Sequence, residues 1–204
     1  MRSLLVSSLI VLALCLPAPA AAQSVGFGVH ANGASLNIAG PLGDVYGGGF
    51  GGGAHLDISL PMLSFRISGD YIGFAPDNDK YKEKLGQLLG TGASGFAVDG
   101  GRISIISGNA NLKWGILPIP VVTPYLTGGI GLARIGVDDA NVKLNGNPIG
   151  NVAGVKAETK TAFNLGAGVD LKIGITLFLE AKYTWIMTEG EASTYIPVSL
   201  GITF

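Results

Sequence analysis

The sequence predicts an all-β protein: a closed, antiparallel, eight-stranded transmembrane β-barrel connected as an up-and-down meander. Three observations carry this. Apolar residues recur at every second position through segments longer than the strands of soluble proteins, which average about 5 to 6 residues. Full charges fall almost wholly on the opposite face of those segments. The chain is also hydrophobic, with 48% apolar and only 13% charged residues, against about 25% charged in ordinary soluble domains. Yet beyond Gln23 no stretch is apolar and long enough for a spanning helix. Two options remain, a soluble all-β domain or a closed membrane barrel, and the pattern of faces decides between them.

The first residues read as a processing signal. Arg2 is a positive start, Leu4 to Leu16 is an apolar core, and Ala20-Ala21-Ala22 offers a small-residue cleavage site. The expected organisation is therefore a removed leader over 1–22 and a barrel domain over 23–204. Cys15 is the only cysteine and falls in the leader, behind a Leu14 that is bulky for a lipid-attachment signal. The barrel then has no thiol chemistry. The formal net charge of −1 implies no nucleic-acid partner.

Strand signals fall at 24–39, 46–60, 64–74, 101–114, 124–137, 160–173, 176–187 and 194–204. Most match or exceed the roughly 9 to 11 residues a tilted strand needs to cross the hydrocarbon. The connections alternate in length. Those at 61–63 and 174–175 are tight and 115–123 is moderate, whereas 75–100 and 138–159 are long and polar. Short turns at one end and longer loops at the other is the arrangement of outer-membrane barrels, with the turns periplasmic. Within the first long loop, Tyr81, Leu85, Leu88 and Leu89 share one helical face, which fits either a short amphipathic helix or a disordered loop.

In "TAFNLGAGVDLKI", Phe163, Leu165, Ala167, Val169 and Leu171 alternate with Asn164, Gly166, Gly168, Asp170 and Lys172. In "TLFLEAKYTW", Leu177, Leu179, Ala181, Tyr183 and Trp185 alternate with Glu180, Lys182 and Thr184. The same division sets Arg66 and Asp70 against Phe65, Ile67 and Tyr71. It sets His55 and Asp57 against Leu56 and Ile58, and Asn109, Asn111 and Lys113 against Ala110, Leu112 and Trp114. The polar face thus gathers Asp57, Asp70, Asp170 and Glu180 with Arg66, Lys113, Lys172 and Lys182, four of each sign. A closed interior needs that balance because buried ions must be paired; a solvated surface does not. The polar face is therefore the expected lumen, and His30, His55, Asn109, Asn111 and Asn164 join the charges there. Trp114, Tyr125, Tyr183 and Trp185 are expected to mark the membrane interfaces. Arg134 alone puts a charge on an apolar face, near a strand end where the cost is small.

"TPYLTGGIGLARI", "TAFNLGAGVDLKIGITLFLEAKYTWI" and the closing "YIPVSLGITF" together resemble the C-terminal half of the small eight-stranded outer-membrane β-barrel family, which includes OmpA-like transmembrane domains and OmpX-like proteins. Matching features are Pro124-Tyr125, Gly129 with Gly131, Gly166 to Asp170, Glu180-Ala181-Lys182-Tyr183 and Phe204. The likeness is good over 100–204 and looser over 24–74. It implies a monomer in a Gram-negative-type outer membrane, in contact with its lipid and lipopolysaccharide. It also implies that Tyr195, Leu200, Ile202 and Phe204 carry the signal read by the barrel-assembly machinery.

Enzymatic relatives of such barrels need a histidine near a serine or carboxylate at the rim. His30 and His55, the only two histidines, fall near each other if the first two strands pair around Gly43. They would then lie toward the periplasmic half, away from a rim that meets lipid esters. A metal or general-base site is conceivable there, and an interior hydrogen-bonded imidazole pair is the expectation. "YGGGFGGG" at 46–53 has no following helix to cradle a phosphate. The expected sites are accordingly structural, with no catalytic residue, metal or cofactor. The expected role is structural or adhesive, through loops 75–100 and 138–159 and an extracellular partner that the sequence leaves unnamed. A small-solute channel and a lipid-modifying enzyme are the alternatives.

Overall fold

The computed structural model describes residues 24–37, 46–60, 62–89, 96–117, 119–154, 157–187 and 193–204. The leader expected over 1–22, with Cys15, lies outside the described residues. Eleven strands and one helix occur among the described residues: β1 (Ser24–Asn37), β2 (Tyr46–Leu60), β3 (Leu63–Pro76), α1 (Asn78–Leu89), β4 (Phe96–Gly100), β5 (Ile103–Gly115), β6 (Val122–Val137), β7 (Ala140–Leu144), β8 (Asn147–Val152), β9 (Glu158–Lys172), β10 (Thr176–Ile186) and β11 (Ser193–Thr203).

Eight of these close into a barrel in the order β1-β11-β10-β9-β6-β5-β3-β2. Every neighbouring pair is antiparallel, and β1 seals against β11 from Gly28↔Thr203 to Asn37↔Thr194. This is the predicted meander, and closure removes the unpaired edges that lipid would not tolerate. Two further backbone bonds, Phe204 N–H to Phe27 O at 2.8 Å and Phe27 N–H to Phe204 O at 3.2 Å, carry the seam to the last residue.

One end of the barrel bears tight turns. Between β9 and β10, Ile173 N–H donates to Ile175 O at 2.9 Å while Gly174 takes φ +94°, a conformation open to glycine at little cost. The other end bears the long excursions, and these are more structured than a polar composition suggests. Strands β4, β7 and β8 form a separate three-stranded sheet in the order β4-β7-β8. The β7–β8 hairpin turns on Asn145 (φ +50°) and Gly146 (φ +83°), the Asn-Gly pair that favours a two-residue turn with both central residues left-handed. Helix α1 starts at Asp77, whose Oδ1 accepts from Asp79 N–H at 3.0 Å as an N-cap. The segment is therefore helical; the packing of Tyr81, Leu85, Leu88 and Leu89 lies outside the described residues.

The barrel wall divides its side chains by parity. Val25, Phe27, Leu56, Ile67, Leu112, Leu126, Leu132, Leu165, Leu179 and Leu200 are exposed outward, while Asn32, His55, Asp57, Arg66, Asn111, Asn164, Glu180 and Lys182 are buried. Inside, the composition changes along the axis. The turn-end and middle levels hold the ions. At the loop end Ala34, Leu36, Ile72, Phe74, Ile103, Ile105, Ala133, Ala162, Ile186 and Tyr195 pack into an apolar cluster. Both faces of the wall are apolar at that level, so "YIGF" in β3 and "ISII" in β5 lose their alternation there. The inner set is a plug.

Candidate functional site

The site is the lumen, and glycines build it. In an antiparallel barrel a side chain faces directly opposite neighbours on the strands beside it, so reaching across a middle strand needs a gap there. Gly53 lies between His30 of β1 and Asp70 of β3, and a Cβ on it would sit 2.6 Å from His30 Nε2 and 2.8 Å from Asp70 Oδ1. The gap lets these two meet, Nε2 to Oδ1 at 2.6 Å. Gly28 separates His55 from Thr203 in the same way, and His55 Nε2 reaches Thr203 Oγ1 at 2.8 Å. Gly129 lies between Asn111 and Asn164, whose amides exchange bonds of 2.9 and 3.2 Å. Gly168 lies between Tyr125 and Glu180, and the tyrosine hydroxyl donates to Glu180 Oε2 at 3.0 Å. Small residues therefore set the connectivity of the network. Changing Gly129 to alanine drives a methyl into Ala110 O and the Asn111 side chain. It is expected to cost about 1 to 3 kcal/mol, read from the urea midpoint of the folded barrel.

The ions are tightly paired. Arg66 grips Asp57 with Nε and Nη2, each donating at 2.7 Å, and its Nη1 lies 3.8 Å from Glu180. This is the planar two-pronged match a guanidinium makes with a carboxylate. Its Cζ sits 4.3 Å above the ring of Phe178, an aromatic on the inner face that also packs edge-on against His55. Lys113 Nζ bonds both oxygens of Asp170 at 3.2 Å and lies 4.1 Å from the Tyr125 ring centroid. Lys182 bonds Glu180 at 2.9 Å. Asp70 is held by neutral donors as well as by His30: Asn32 at 3.1 Å, Ser68 at 3.1 Å and Asn109 at 3.3 Å.

Two expected positions differ. Tyr125, read as an interface aromatic, is buried on the inner face at 2% exposure, because a tyrosine opposite Gly168 fills the lumen and gains Glu180. Lys172, read as part of the interior network, is exposed at the turn-end mouth, because β9 leaves the barrel at that residue. Tyr195, which the resemblance joins to Leu200, Ile202 and Phe204 as an assembly signal, has the opposite parity to those three and is buried in the apolar cluster. Trp114 stands exposed near the turn end, and Tyr183 and Trp185 pack at a tilt with ring centroids 4.6 Å apart toward the loop end, all on the outer face.

A vestibule of about 330 Å³ opens at the turn end between Ser24, Ser64, Thr123, Lys172 and Thr203 and reaches Asp57, Lys113 and Tyr125. At mid-height, between Asp70, Asn109, Asn164 and Lys182, the space falls to about 10 Å³, enough for roughly one water. Above that stands the apolar cluster. Among the described residues no group of three or more His, Cys, Asp or Glu is placed to hold a metal. Outside the barrel Lys143 of β7 bonds Asp99 of β4 at 2.9 Å. That bond and the lysine charge hold the Asp99 carboxyl below its ordinary range. The pair is intact above the usual carboxylate titration and lost as pH falls through the lowered one.

Residues 6–204 match the outer membrane protein β-barrel domain family. The chain belongs to that family. Solved outer membrane barrels share its architecture. Neisserial surface protein A is 16% identical with a TM-score of 0.59, covering 89% of this chain and 97% of that one. A major outer membrane protein from Thermus thermophilus is 12% identical with a TM-score of 0.51, over 89% of this chain and 100% of that one. The N-terminal barrel domain of Pseudomonas aeruginosa OprF is 14% identical with a TM-score of 0.48, over 90% and 100%. At these identities the likeness to the first two is one of fold. No curated protein matches the sequence significantly. As a member of an outer membrane barrel family, the chain has lipid as the surroundings of its outer face, where its exposed leucines, isoleucines and phenylalanines are placed.

Proposed function

We propose that this outer membrane barrel is a non-enzymatic, monomeric scaffold that presents a surface-interaction platform, structural or adhesive, on loops 75–100 and 138–159. The observation that carries the reading is a pairing between the two loops. Strand β4 of the first runs antiparallel to β7 of the second, from Phe96↔Leu144 to Gly100↔Ala140. Two excursions that leave the wall at the neighbouring strands β5 and β6 are thereby joined into one sheet beyond the barrel, which gives a partner a defined surface. The plugged lumen argues against transport, since a solute would have to break ion pairs and then cross the apolar cluster. The tight turns at the opposite end support an orientation with the platform outside the cell.

Tyr195, Leu200, Ile202 and Phe204 belong to the C-terminal segment we assign to recognition by the assembly machinery, and Trp114, Tyr183 and Trp185 are the interface anchors. Lipopolysaccharide is the lipid partner of the outer half of the wall.

The protein reconstituted in planar bilayers is expected to show no unitary current steps; regular steps would favour a small-solute channel. Lipid A from cells with and without the protein is expected to be identical by mass spectrometry, and a changed profile would favour a lipid-modifying enzyme. Replacing 140–152 by a short turn is expected to abolish binding of whole cells to host or abiotic surfaces while leaving heat-modifiable gel migration intact. Unchanged binding would remove the platform from the function.

A further inference from the structure

Toward the loop end, the large apolar side chains of the outer wall stop at one level on three adjacent strands. The register sets Tyr71 of β3 opposite Ile106 of β5, and Ile106 opposite Arg134 of β6. Tyr71, Ile106 and Leu132, which lies two residues before Arg134, are all exposed outward. The next outward row is Gly73, Ser104 and Gly136, and Arg102 follows beyond Ser104 on the same face. Thr159 of β9 stands opposite Arg134. Two glycines flanking a serine leave a shallow depression. It lies where the apolar band gives way, which is the level of the lipid headgroups.

Polar groups surround this depression. A Cβ on Gly73 would sit 3.5 Å from the Tyr71 hydroxyl and 3.7 Å from Arg102 Cδ, and one on Gly136 would sit 3.3 Å from Ser104 Oγ. Arg102 thus leans over Gly73 of β3. It turns away from Asp138 of β6, whose N–H donates to Arg102 O at 2.9 Å. Among the described residues neither Arg102 nor Arg134 is in an ion pair, and both are exposed. Two other acids nearby are engaged elsewhere. Glu158 meets Lys160 at 2.8 Å, and Asp139 accepts from Gly154 N–H at 2.6 Å.

We propose that this depression binds a phosphate monoester of an outer-leaflet glycolipid of the lipid A kind, seated over Ser104 between Arg102 and Arg134. The two arginines stand at either end of about 13 Å of strand, a gap their long side chains close from both sides. Guanidinium groups meet phosphate oxygens as a planar fork of donors, and the hydroxyls of Tyr71 and Ser104 add two more. Charge selects the ester. Two arginines balance a monoester, which carries about −1.5 to −2 at neutral pH, whereas the diester of an ordinary phospholipid lacks that second ionisation. Position selects the source, because acyl chains attached to a phosphate here lie along Ile106, Ile130 and Leu132, all exposed on the wall. The inference rests on lipopolysaccharide being the lipid of the outer half of the wall, and gives it a site.

The folded barrel in detergent micelles is titrated with diphosphorylated lipid A, dephosphorylated lipid A and phosphatidylglycerol, and retained lipid is counted by native mass spectrometry. The expected result is one phosphorylated lipid A per barrel, with the other two lipids held at least about tenfold more weakly. Arg102→Gln and Arg134→Gln are each expected to weaken retention about tenfold. Gly136→Val, which fills the depression at unchanged charge, should weaken it as well, while Lys143→Gln on the sheet beyond the barrel should not. Heat-modifiable migration reports that each variant is folded. Should one fail to fold, the wild-type contrast between phosphorylated and dephosphorylated lipid A decides by itself. Undiminished retention in a folded Arg102→Gln, Arg134→Gln double variant would overturn the site and leave lipopolysaccharide as the partner. Equal retention of phosphatidylglycerol would overturn the monoester, and displacement by equimolar inorganic phosphate would overturn the lipid as its source. No retention of lipid A by the wild type would remove both the site and the lipid reading beneath it.

Discussion

Arg66→Leu is expected to lose about 3 to 5 kcal/mol of folding stability, the scale on which breaking a buried pair from one side is felt. The loss comes from what remains. Asp57 keeps its charge in a buried site and loses both short bonds, with only Lys113 still near at 3.9 Å. Glu180 loses a cation but retains Lys182 and Tyr125, so it is the lesser casualty. The accompanying replacement Asp57→Leu should therefore restore much of the loss, because the orphaned charge leaves with it. Urea unfolding in lipid vesicles, followed by gel migration, measures both. A single replacement costing under about 1 kcal/mol would mean that these ions are solvated, and additive losses in the double variant would mean that they are uncoupled.

Leu165→Arg is expected to cost about 2 to 4 kcal/mol, the penalty for a cation on the lipid face at the bilayer midplane. Leu165 lies at the middle of β9 and is 60% exposed on the outer wall, so an arginine there has only hydrocarbon to face. The contrast is depth. Met62, exposed in the β2–β3 turn, should accept arginine at about 0 to 1 kcal/mol. The native Arg134 lies toward the loop end of β6 on the same face as Leu132, where the chain already tolerates such a charge. Equal costs at Leu165 and Met62 would indicate that the outer face does not meet a membrane.

The architecture was legible because the barrel repeats one rule. Alternation in "TLFLEAKYTW" fixes which residues share a face, and lengths above the membrane minimum separate this barrel from soluble sheets. What was not legible is which residues meet across a middle strand. His30 and Asp70, or Tyr125 and Glu180, become partners only through register and through glycines at 53 and 168, and a period of two carries no information about register. Tyr125 follows a proline at a strand start and reads as an interface aromatic until Gly168 is placed opposite it. The apolar plug had a visible signature in "ISII" and "YIGF", where alternation fails, and such a failure reads equally as a strand end. The sheet beyond the rim had a clearer one, since "KLNGNP" carries an Asn-Gly turn signal between short segments. Its strand β4, by contrast, finds a partner only in a loop about 40 residues away.

The barrel stands in the membrane by keeping leucines outside and ions inside. Methyl-labelled protein in lipid nanodiscs gives the most direct check, through nuclear Overhauser contacts between side-chain methyls and lipid acyl-chain protons. Leu165, Leu179, Val198 and Leu200 should contact the acyl chains, while Ile72, Ile105 and Ile186 should contact only protein. Acyl-chain contacts at Ile72, Ile105 and Ile186, with none at Leu165 or Leu179, would contradict it.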